Sequence, residues 1–141
     1  MCVGKPFLLQ PKLEQKAKDL GLQFNVQFLG EQRDRVPELL LASDIGILCS
    51  HEEGFSNSVL EGMAAGLPMV VTDVGGNGEA VVDGETGIVV PPHCPDKLAA
   101  AILLLANDTE KRHRMGTAGR KRVQLHFSIE SCVEKYEKLY N

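Results

Sequence analysis

The sequence contains no tryptophan, and aromatic residues make up only 5% of its 141 positions. So few rings exclude a surface that grips single-stranded nucleic acid by stacking bases. Positive charge is also short: 15 Lys and Arg stand against 19 Asp and Glu, a net charge of −4, which argues against a polyanion as the general partner. No apolar run approaches the roughly 20 residues that a membrane span requires. The first residues lack the charged start and apolar stretch of a secretion signal. Cys2, Cys49, Cys94 and Cys132 are far apart and form no C-x-x-C pair, so reduced thiols in a cytoplasmic compartment are the simplest reading.

What is present is enough for one core. With 43% hydrophobic residues, positions 1–141 read as a single globular domain. Short β-rich runs alternate with helical stretches, the signature of a parallel sheet covered by helices. The strands are expected at Asn25–Leu29, Ile45–Cys49, Met69–Thr72 and Gly87–Val90. Between them, Lys12–Leu20, Val36–Ala42, Ser58–Ala65 and Asn77–Val82 have helical composition, with Gly21, Gly30 and Gly66 as stop signals. After Pro91 and Pro92 the pattern turns helical throughout: Asp96–Ala106, Thr109–His126, which Gly116 and Gly119 are expected to break, and Ser128–Tyr140. Met1–Gly4 reads as the last residues of a strand, as if a sheet were entered in mid-element with its first strand-helix unit missing.

The informative stretch is Glu53-Gly54-Phe55-Ser56-Asn57-Ser58-Val59-Leu60-Glu61. It leaves one expected strand and opens the next helix, the place where open α/β sheets bind ligands. Gly54 permits close approach of the backbone, and a helix starting at Asn57 or Ser58 offers unpaired amides and a positive dipole end to an anion such as a phosphate. Glu61 is the only ionisable residue between Glu53 and Asp73 and is surrounded by small and apolar neighbours. A carboxylate buried in such a helix requires compensation. Two sources are open: a pair of sugar hydroxyls bound by both oxygens, or a capping box, Ser58-x-x-Glu61, closing the helix's own start.

Glu53-Gly54-Phe55, Glu61 eight positions on, the run Glu61-Gly62-Met63-Ala64-Ala65-Gly66-Leu67-Pro68-Met69-Val70-Val71-Thr72, then Gly75-Gly76-Asn77-Gly78-Glu79 and Asp83-Gly84-Glu85-Thr86-Gly87 follow in order. Together they resemble the donor-binding, C-terminal domain of GT-B-fold retaining glycosyltransferases of family four, the glycosyl transferases group 1, over nearly the whole chain. The resemblance implies a Rossmann-like parallel sheet with helices on both faces, one half of a GT-B fold, ending in a helical tail. It implies that Glu61 binds the ribose hydroxyls of a nucleotide sugar. Glu53 would be the catalytic carboxylate beside the transferred sugar, and Gly54, Phe55, Ser56, Asn57 and Ser58 would surround sugar and diphosphate. Gly30 to Arg33 is similar to the segment that contacts the base. Ser56 stands where many relatives have a second glycine.

Relatives place an acceptor-binding domain and a strand-helix unit with diphosphate-gripping Arg and Lys ahead of this region. Nothing here aligns with either, so the resemblance implies weak donor binding and negligible transfer by these residues alone. The full enzyme would move a hexose-type sugar from a nucleotide sugar to a glycan or lipid-linked acceptor. No D-x-D is present to bridge a diphosphate through metal, so no metal or other cofactor is expected. The other functional class is a stand-alone, non-catalytic nucleotide-sugar-binding or interaction module; coding sequence for about two hundred further residues upstream, a single further domain in size, would favour the transferase.

Other features carry less. Gly76-Asn77-Gly78-Glu79 lacks the third glycine of a dinucleotide fingerprint. His51 sits just before the Glu53 loop, and His93-Cys94 in a Pro-bounded turn are too few for a metal site. Lys111, Arg112, Arg114, Arg120, Lys121 and Arg122 have no acid among them. They read as a solvated helical face or as a membrane-surface contact through anionic headgroups.

Overall fold

The computed structural model describes residues 1–4 and 9–140, with the backbone alone at Arg33. The chain forms two compact units, Met1–Val36 and Pro37–Asn141. In the first, α1 (Gln10–Asp19) carries Pro11 as its second residue, whose fixed φ suits a first turn, and has Lys16 and Lys18 in its last turn. Gly21, at φ 69°, turns the chain out of the helix, and the Leu22 amide donates back to the Ala17 carbonyl at 2.7 Å. The expected strand Asn25–Leu29 shrinks to a single parallel bridge, Cys2 with Phe28. Its first residues are taken by a turn, with the Asn25 and Val26 amides both donating to the Leu22 carbonyl. The ladder that remains is Cys2 to Gln27, Leu29 to Cys2 and Gly4 to Gly30. A short 3-10 turn, Arg33–Arg35, ends the unit.

The second unit is built on three parallel strands in the order β1 (Gly46–Leu48), β2 (Met69–Thr72), β3 (Gly87–Val90). All four residues of β2 are buried, as expected of a central strand covered on both faces. Successive side chains point to opposite faces. Met69 and Val71 accordingly join Val59 and Met63 of α3 (Asn57–Ala64) in one apolar cluster. Val70 joins Val90, Ala101 and Leu105 of α5 (Pro95–Asn107) and Met115 of α6 (Thr109–His126) in the other. Helices therefore lie on both faces. α2 (Val36–Leu41) precedes β1, and α7 (Ile129–Tyr140) forms the helical tail with no buried residue.

Two expectations are corrected here. α4 spans only Asn77–Ala80, because Val81 is already extended and the Val82 amide is taken by the Thr86 hydroxyl at 2.9 Å. α6 runs unbroken through Gly116 and Gly119, both buried. The glycines serve packing instead: a side chain on Gly116 would overlap the Gly66 carbonyl at the end of α3.

Candidate functional site

Three loops leave the carboxyl ends of the strands: residues 49–56 after β1, 73–76 after β2 and 91–94 after β3. Each is tied to the next. The Thr72 hydroxyl donates to the Ser50 carbonyl at 2.7 Å, and the Gly76 amide donates to the Gly54 carbonyl at 2.6 Å. The Asp73 amide donates to the Val90 carbonyl at 2.8 Å. Gly75, at φ 52°, lies so close to the Glu53 carbonyl that any side chain would overlap it. Only glycine satisfies both the left-handed backbone and the contact.

Within this frame the Ser50 hydroxyl donates to Oε1 of half-buried Glu53 at 2.6 Å. The carboxylate is thus oriented by its own loop, and that loop is held by β2. Phe55 packs on Phe127 with the rings tilted by 40° and their centroids 5.5 Å apart, and the Arg122 guanidinium lies 5.7 Å from the Phe127 centroid. Arg122 also donates to the Ala80 and Glu79 carbonyls at 2.9 and 2.8 Å, closing the end of α4. Asn77, almost fully buried, donates from Nδ2 to the Thr72 carbonyl at 3.1 Å while its Oδ1 has no partner. His51 stacks on His93, rings 4.5 Å apart and 15° from parallel, with His93 at φ 58°.

α3 begins at Asn57 with Ser56 as N-cap, and no side chain caps it. Ser56 and Ser58 bring their hydroxyls within 2.9 Å of each other. The helix therefore starts two residues before the point a Ser58-Glu61 capping box needs, and that reading falls. The premise of a buried Glu61 also falls. Val59, Gly62 and Met63 form the buried stripe of α3, and Glu61, roughly 200° around the helix from Val59 at 100° per residue, is exposed. It sits on the helix as an available carboxylate rather than a compensated one. Gly30, at φ 67°, accepts from the Gly4 amide in the first unit, and the side chain of Arg33 lies outside the described residues.

The cation run divides by role. Arg112 donates to the Leu105 and Ala106 carbonyls at 2.7 and 2.9 Å and to Thr109, closing the end of α5, as Arg122 closes α4. Neither belongs to a freely solvated face. Ser50 and Phe127 were not singled out in the sequence, and Thr72 and Asn77 stood there only as members of longer motifs.

Residues 9–122 match the family model described as glycosyl transferases group 1. The chain belongs to this family. It is 37% identical over 126 residues to N-acetyl-alpha-D-glucosaminyl L-malate synthase of Bacillus anthracis, covering 89% of this chain and 33% of that protein. To D-inositol 3-phosphate glycosyltransferase of Corynebacterium diphtheriae it is 36% identical over 127 residues, covering 87% and 29%. Among solved structures, Anabaena HepE in complex with UDP is similar with a TM-score of 0.90 at 26% identity, covering 98% of this chain and 39% of that one. The chain thus has the Rossmann-like α/β fold of the GT-B glycosyltransferases that its motifs implied. It spans about a third of the length of the curated relatives it matches.

Proposed function

We propose that this chain is the nucleotide-sugar-binding part of a retaining, metal-independent glycosyltransferase that transfers a hexose-type sugar to a glycan or lipid-linked acceptor in the cytoplasm. One observation carries the reading most: a carboxylate, Glu53, is oriented by Ser50 on a loop at the carboxyl ends of parallel strands, directly before an uncapped helix start. A positive helix end accepts a diphosphate. A fixed carboxylate beside the anomeric carbon stabilises the positive charge that develops there as the glycosidic bond to the nucleotide breaks, and it is most effective because it is already oriented. Exposed Glu61, one turn into α3, supplies two acceptor oxygens for ribose hydroxyls. The neighbour solved with UDP supports a uridine nucleotide as the first ligand to try.

In this reading the residues preceding the matched region in the relatives supply the acceptor-binding domain and the first strand-helix unit. Calorimetric titration of the chain with UDP, with and without EDTA, tests the donor assignment. UDP binding that survives the chelator is expected; binding abolished by EDTA would show that a metal bridges the diphosphate and that the helix start is not its principal anchor.

A further inference from the structure

The opposite end of the second unit carries a second charged feature that the donor site does not use. Gly66 lies just past the end of α3 and Met69 starts β2, so this region lies at the amino ends of the strands, about 13 Å from the Glu53 loop by the length of a four-residue strand. There α6 presents His113, Thr117, Arg120, Lys121 and Gln124, spaced to share one face, around a cavity of about 320 Å³ against Gly66. All five are exposed. Arg112 and Arg122 are committed to helix carbonyls, whereas Arg120 and Lys121 have no ionic or hydrogen-bonding partner among the described residues. The only acid of α6, Glu110, lies in its first turn.

A second cavity, of about 250 Å³, shares Gly66 and His113 with the first and continues it to Leu41, Leu67 and Pro68, with Asp44 as its one acid. Leu41 is 74% exposed at the end of α2. Free cations beside a projecting leucine match the chemistry of a bilayer surface, where phosphates lie over an apolar boundary. The chain as a whole has net charge −4 and is repelled by an anionic surface, so an approach to one has to be made by a locally basic face such as this.

We propose that the amino end of the sheet docks on an anionic bilayer, with Arg120 and Lys121 on lipid phosphates, His113 beside them and Leu41 at the acyl boundary. Docked this way, the strands' carboxyl ends face water, open to a soluble ligand. The proposal does not depend on the nucleotide-sugar reading, because docking is measured without nucleotide.

The test is sedimentation of the 141-residue chain with vesicles of phosphatidylcholine alone or mixed equally with phosphatidylglycerol, across a salt series. Binding to the mixed vesicles only, weakening as salt rises, is expected. The double variant Arg120→Ala, Lys121→Ala should lower partitioning roughly 30-fold, at about 5-fold per cation. Leu41→Ser should weaken binding without changing its salt dependence, and Lys97→Ala, at the far end of the sheet, should have a much smaller effect than Arg120→Ala. Circular dichroism of each variant verifies its fold. Equal binding to both vesicles, or mixed-vesicle binding that the double variant retains, would overturn the proposal. So would titration with inorganic phosphate that saturates at Arg120 and Lys121 while no vesicle binds, which identifies a site for a soluble anion.

Discussion

At the scale of single residues, Glu53 and Glu61 differ in what holds them, and this separates their roles experimentally. Glu61 is exposed and makes no contact that the fold needs. Glu61→Ala should therefore leave the melting curve within about 0.5 kcal/mol of the parent. It should weaken UDP and its sugar ester alike by about 1.5–3 kcal/mol, roughly 10–150-fold, the cost of losing a charged hydrogen bond. Glu53 is oriented by Ser50 and, in the proposed function, is assigned to the sugar half of the ligand. Glu53→Ala should leave UDP affinity nearly unchanged and weaken only the sugar ester. Calorimetry of both variants with both ligands decides this, and unchanged UDP affinity in Glu61→Ala would remove the ribose assignment. The sequence made both carboxylates visible by spacing and motif, but placed Glu61 in the interior. Composition around a helical residue does not say which way it points; the buried stripe Val59, Gly62 and Met63 does.

At the scale of elements, the two glycines of α6 make opposite predictions although a helical pattern treats them alike. Gly116→Ala drives a methyl into the Gly66 carbonyl, a backbone atom that cannot turn aside, and should destabilise the chain by about 1–3 kcal/mol in urea unfolding. Gly119→Ala meets its nearest neighbour, the Thr86 carbonyl, at an ordinary 3.6 Å and removes a flexible glycine from a helix interior, so it should be neutral or stabilising by up to about 1 kcal/mol. Equal losses in both would show that helix geometry, not the contact with α3, sets the requirement. α4 is a single turn whose last carbonyls are capped from a distance by Arg122. Arg122→Ala should cost about 1.5–3 kcal/mol, reduced by partial exposure. Arg122→Lys should recover only part of it, since an ammonium cannot serve both carbonyls with a planar fork. Hydrogen exchange at Val81, whose amide donates to the Asn77 carbonyl, reports the loosening directly.

At the scale of the whole molecule, the chain spans about a third of its curated relatives, and the proposed reaction needs a second wall for the acceptor. A transferase gains much of its rate from holding donor and acceptor in register. The 141 residues alone should bind UDP yet release sugar from UDP-sugar no faster than spontaneous hydrolysis. Joined to the acceptor-binding part that the proposed function requires, the same residues should turn over. Product analysis by mass spectrometry is the check, and clear turnover by the 141 residues alone would sink the division of labour proposed for the two parts.

Much was settled by local pattern. Met69–Thr72 and Gly87–Val90 are strands and Thr109–His126 is a helix at the residues expected, because a buried parallel strand is a short unbroken apolar run and a helix is bounded by its cap, Asp108. The order of motifs from Glu53 to Gly87 fixed the family, since spacing along a chain survives folding. What the sequence could not decide were the matters of approach between distant segments. The Asn25–Leu29 strand lost its first residues to a turn closed on the Leu22 carbonyl; Gly116 had its meaning set by Gly66; and Arg112 and Arg122 left the solvated face for carbonyls six to 43 positions away. Only packing brings such groups within hydrogen-bond reach, and only there does a residue's type acquire a role.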